Sequence, residues 1–133
     1  MRDWGRLFKT CGGSGLYTAG GTPGFDKISR LAVLAGLKYI YIDLTPVADK
    51  QAFLKILAEK LDFPPHFGMN WDALKDSLTD MPPDRGYVIA LDNIKAFAEA
   101  DPKGMLITRN IFKYTAVYWK KQAVAFYVLT RMS

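Results

Sequence analysis

Three runs rich in β-branched and aromatic residues, 38–44 (KYIYIDL), 86–91 (GYVIAL) and 123–130 (AVAFYVLT), are separated by segments whose apolar residues recur at helical spacing. This alternation is the strongest constraint on the chain, because strands that alternate with helices favour a parallel sheet with helices packed against it. Right-handed crossovers leave few ways to assemble such units. The run 86–91 has no polar alternation and predicts a strand covered on both faces. The expected class is therefore α/β: a small three-stranded parallel sheet with helices against it, plus a short N-terminal strand and helix.

The helices can be placed from their caps and stripes. Asp26 is positioned to cap a short helix carrying Ile28, Leu31, Ala32 and Ala35, which Gly36 ends. Asp49 opens a helix with the stripe Phe53, Leu54, Leu57 and Leu61. Residues 63–68 (FPPHFG) form a loop, since two prolines and a glycine forbid regular structure. Asn70 caps a helix over 71–79, and Asp92 a short one over 93–98. Asp101-Pro102 starts a longer helix whose buried side is marked by Met105, Ile111, Phe112, Thr115, Tyr118 and Trp119. The glycine-rich stretch 11–24 reads as turns around a strand at 16–18. It is not a phosphate loop, because no Gly-Lys-Ser/Thr follows.

With 133 residues, half of them hydrophobic, the chain can form a core without metal or disulfide. Cys11 is alone, so no internal disulfide is possible, and a reducing cytoplasm is the expected compartment. Arg2 and Arg6 are followed by no apolar region of signal-peptide type, and no apolar run reaches membrane-spanning length. His66 is the only histidine, which leaves a metal cluster or a histidine triad short of members. No cofactor and no enzymatic activity are expected.

The net charge of +5 is unevenly spread. Between residues 62 and 84, Asp62, Asp72, Asp76, Asp80 and Asp84 face Lys75 alone, a net −4 that leaves +9 for the rest. Asp72, Asp76 and Asp80 are four apart, so a helix stacks them on one side, with Trp71, Leu74 and Leu78 on another. Like charges at this spacing repel, and only Asp72 is favoured by the helix dipole. A solvated polar face explains such a ladder, as it explains most charge runs. The functional alternative is a cationic partner bound through charge-assisted hydrogen bonds.

The segment PPHFGMNWDALKDSLT (64–79) resembles the barstar pattern P-x-x-[aromatic]-G-x-N-x-D-A-L-x-D-x-L-T without a gap. KYIYIDL with ADKQAFLKILAEKLDF, GYVIALDNIKAF and the final AVAFYVLTR are similar to the family's other elements. The resemblance covers roughly 14–131, a single barstar-like domain over 14–133, and leaves residues 1–13 outside it. It implies an intracellular inhibitor whose loop and acidic helix plug the cationic active site of a basic ribonuclease or related nuclease toxin. The implied partner-binding residues are His66, Asn70, Trp71, Asp72, Lys75, Asp76 and Asp80, with Asp76 taking the place of an RNA phosphate. Lys75, Asp80 and Met81 depart from the type member, as does the helix segment 115–119, which has no carboxylate. A second reading is a basic module associated with RNA or the ribosome. Its lysines are scattered over several elements, so direct nucleic-acid binding is not the expectation, and neither is a membrane partner.

Overall fold

In a computed structural model, which describes residues 2–21, 23–83 and 85–132, the order of elements is α1 (Trp4–Leu7), β1 (Gly15–Thr18), α2 (Phe25–Leu34), β2 (Lys38–Asp43) and α3 (Lys50–Lys60). There follow α4 (Trp71–Thr79), β3 (Tyr87–Asp92), α5 (Lys95–Ala100), α6 (Pro102–Lys121) and β4 (Phe126–Thr130). All strand pairs are parallel, in the order β1-β4-β3-β2. Asp84 lies outside the described residues.

The sheet has four strands, not the expected three. The N-terminal strand joins it, with Gly15 opposite Tyr127 and Thr18 opposite Thr130. The physical reason lies in β4. Its residues are apolar on both faces, and an open edge there would leave a row of unpaired backbone groups. β1 covers that edge.

Two cores form, one on each face. Ile42, Leu57, Leu74, Leu78, Ile89, Phe112 and Phe126 belong to the larger one, between the sheet and helices α3–α6. On the other face Trp4, Phe8, Phe25, Ile28, Val88, Ala90, Tyr127 and Leu129 pack beneath α1 and α2. This is why β3 is buried at every position, as an apolar run predicts.

Three predicted caps hold. Asp49 accepts the Ala52 N–H at 2.8 Å, Asn70 the Ala73 N–H at 2.7 Å and Asp101 the Gly104 N–H at 2.9 Å. Two do not. Helix α2 starts at Phe25 with Gly24 as its cap, and Asp26 sits inside the first turn. The Phe25 ring, buried in the second core, draws the helix start ahead of the aspartate. Asp92 does not cap α5, which begins at Lys95 after Ile94. Its carboxylate is buried instead in a bidentate ion pair with Arg131, at 2.8 Å to each oxygen. Tyr41 also donates its hydroxyl to it, at 2.5 Å.

Candidate acidic docking surface

Helix α4 is fixed from below. Leu74 and Leu78 are fully buried, and each contributes about 2–3 kcal/mol of apolar burial. Trp119 of α6 donates its indole N–H to the Leu78 carbonyl at 3.0 Å, tying down the last turn. The opposite side therefore stands at a fixed height. Asp72, Asp76 and Asp80 are all exposed there. The ion pair Arg131–Asp92 is the only one among the described residues, so none of these three carboxylates is neutralised by the protein's own cations.

The loop before α4 is equally constrained. The Phe63 and Phe67 rings meet at a tilt, 5.2 Å between centres, and, with Met69, pack against the larger core. Phe67 donates its N–H to Pro64 O, and the Asn70 amide reaches back to Gly68 O at 3.2 Å. Asp62 and Met69, on either side of the loop, both hold left-handed backbone at φ 56° and 52°. Such conformations are unfavourable for residues with a Cβ and persist where surrounding packing imposes them. Pro64, Pro65 and His66 are left facing solvent.

Loop and helix together form an open cleft of about 630 Å³. His66, Asp76 and Asp80 line it, as do Asp62 and Tyr118. The other residues singled out from the sequence lie elsewhere. Asn70 acts as the helix cap. Trp71 is half-buried, 6.3 Å from Phe53, with the Lys50 ammonium 5.4 Å from its ring. Asp72 stands on the helix beyond the cleft's lining. Lys75 points toward α6, its ammonium 4.0 Å from the centre of the Tyr114 ring. This cation–π contact holds the lone positive charge of the segment against the protein's own surface. Asp62 and Tyr118 escaped the sequence reading as site residues because neither belongs to the α4 periodicity. The turn after α3 and the α4–α6 packing bring them in.

Chemically, the surface has acceptors in excess and a single histidine. It has no group of three or more histidine, cysteine or acidic side chains suited to hold a metal ion among the described residues. No described helix is long and apolar enough to cross a membrane.

No curated protein sequence matches the chain. A chain of the "Structure of Drosophila ORC bound to AT-rich DNA and Cdc6" is similar with a TM-score of 0.47 and 13% identity. The match covers 98% of this chain and 42% of that one, and a likeness this loose carries no functional argument. Residues 37–131, which include the cleft loop and all of α4, match the family described as "Barstar (barnase inhibitor)", and the chain belongs to the barstar family.

Proposed function

We propose that this protein inhibits a basic ribonuclease, or a related nuclease toxin, in the cytoplasm by pressing α4 and the 63–68 loop into the enzyme's cationic active site. The observation that carries this reading is the uncompensated ladder of Asp72 and Asp76 on α4 and Asp80 at its C-cap, on a helix that packing holds in place. A nuclease site built for phosphates presents arginine, lysine or histidine groups, and carboxylates at fixed spacing can take the phosphate positions. Rigidity matters because little conformational freedom remains to be lost on binding. Asp76 is the central contact, since it is both on the ladder and in the cleft. Asp72 is a second anchor, while His66 supplies a loop contact. With its ammonium on Tyr114, Lys75 sits beside the ladder, where it discriminates among partners.

The test is RNA cleavage by ribonucleases of the same cell, with and without the purified protein. Inhibition is expected, and Asp76→Ala should weaken it about 10- to 100-fold, the range for losing a hydrogen bond between charged groups. The unfolding midpoint should not fall, because the Asp76 carboxylate makes no hydrogen bond or ion pair among the described residues. Equal inhibition by wild type and Asp76→Ala would refute the proposed contact.

A further inference from the structure

On the sheet face opposite α4, a second open cleft of about 560 Å³ lies at the carboxyl ends of the strands. We propose that it binds a nucleoside monophosphate, with the phosphate held by Arg30, Arg131 and the first turn of α2, and the base laid against Tyr41. The site is separate from the acidic surface and does not depend on the inhibitor reading.

Its position follows from the fold. Ligands of parallel α/β sheets bind outside the carboxyl ends of the strands, where helices begin. Here Tyr41 lies near the end of β2, Arg131 directly follows β4, and the first turn of α2 forms the facing wall. That turn has no side-chain cap, since Gly24 stands at the cap position. Its leading N–H groups are therefore open to an anion.

The lining adds three cations, Lys27, Arg30 and Arg131, against one carboxylate, Asp26. Counting the buried Asp92 behind Arg131 leaves the balance positive. Lys27 and Arg30 make no ion pair among the described residues, so their charge is available. Arg131 is oriented in advance. Its Nε and one terminal nitrogen are fixed on Asp92, its guanidinium lies 4.4 Å from the Phe25 ring centre, and its other terminal nitrogen retains its donors. Planar, pre-oriented guanidinium groups suit phosphate oxygens.

Two aromatic residues complete the cleft. Tyr41 is 42% exposed although its hydroxyl is anchored on Asp92, so its ring offers a fixed apolar surface. Tyr39 lines the same cleft, and its hydroxyl is buried without a hydrogen-bond partner among the described residues. A buried donor without a partner is rare in folded proteins. The cleft's volume falls within the ordinary range for small-ligand sites.

The experiment is a titration of the full chain with adenosine 5′-monophosphate, inorganic phosphate and adenosine, followed by amide NMR shifts. The nucleotide should shift amides of residues 24–30 and 131 in a saturable way, at least tenfold more tightly than phosphate or adenosine alone. Arg30→Ala should weaken binding at least tenfold and Asp76→Ala not at all. Raised salt should weaken the interaction with it. Saturable binding of phosphate as tight as of the nucleotide would overturn the assignment to a nucleotide. No shifts in 24–30 at millimolar nucleotide would overturn the site, as would unchanged affinity in Arg30→Ala. Ribonuclease inhibition, measured on the same Arg30→Ala protein, reports separately on the acidic face.

Discussion

Replacing Asp92 with asparagine should destabilise the fold by about 3 kcal/mol, more than any single hydrogen bond it makes. The carboxylate is only 3% exposed and accepts from four donors: two nitrogens of Arg131 at 2.8 Å, the Tyr41 hydroxyl at 2.5 Å and the Asn93 N–H at 2.9 Å. Removing one member of a buried pair costs about 3–5 kcal/mol, because the other charge is left uncompensated. Arg131 keeps 29% of its side chain in solvent and can partly rehydrate, which places the loss at the lower end. Tyr41→Phe gives the reference, about 1.5 kcal/mol for one part-exposed hydrogen bond to a carboxylate. Urea unfolding at neutral pH, followed by tryptophan fluorescence, measures both variants, with the midpoint moving and the slope unchanged. The pH dependence supplies a second readout. The Arg131 guanidinium, more than any other group, holds the Asp92 carboxyl below its ordinary 3.8. A depressed carboxylate contributes stability that is present above its unfolded value and lost as pH falls through the folded one. Wild type should lose that increment on acidification below about pH 4, and Asp92→Asn should lack it. A destabilisation no larger than that of Tyr41→Phe would refute the clamp.

Two other predictions concern how the faces of the sheet are held. The hydroxyls of Tyr41 and Tyr127 are pushed up from 10.0 to about 12, Tyr41 chiefly by the hydrogen bond it donates to Asp92 and Tyr127 chiefly by burial. Folding favours their neutral forms, so this stability is complete below pH 10 and is lost as pH rises toward 12; thermal midpoints across that window should fall in wild type and fall less in Tyr127→Phe. Trp119→Phe deletes the indole bond to the Leu78 carbonyl and leaves a smaller ring in the core, for an expected loss of about 2 kcal/mol. Hydrogen exchange in the last turn of α4 should accelerate, and unchanged protection there would contradict the anchoring assigned to Trp119.

The elements most legible in the sequence were those whose signals are local. Asp49, Asn70 and Asp101 each precede a helix by one position, and each caps it, because a short acceptor side chain reaches the N–H groups of the first turn. The ladder was legible for the same reason, since helical periodicity alone puts Asp72, Asp76 and Asp80 together. What failed needed tertiary information. Asp92 looks like a cap because a helix follows it, but its partner Arg131 lies 39 residues away. Asp26 looks like a cap until the burial of Phe25 is known. Lys75 reads as a charge between two aspartates, and only the packing of α4 on α6 reveals Tyr114 beneath its ammonium.

The N-terminal residues show how a composition that is locally uninformative can still be required. The runs 86–91 and 123–130 are apolar at nearly every position, so both of their faces must be covered. Residues 37–131 supply helices α3–α6, all of which pack on one face. Val88, Ala90, Tyr127 and Leu129 point to the other and are nonetheless fully buried. Their cover comes from Trp4, Phe8, Phe25 and Ile28, none of which lies in the family-matched span. Tyr127 records the dependence most directly: its hydroxyl lies 2.7 Å from the carbonyls of both Leu7 and Thr10, across more than a hundred residues of chain. The apolar patterning of the last strand thus already requires a partner layer, and α1 and α2 supply it. The same layer creates the wall of the cationic cleft, so that cleft and the acidic ladder are kept on opposite sides of one sheet.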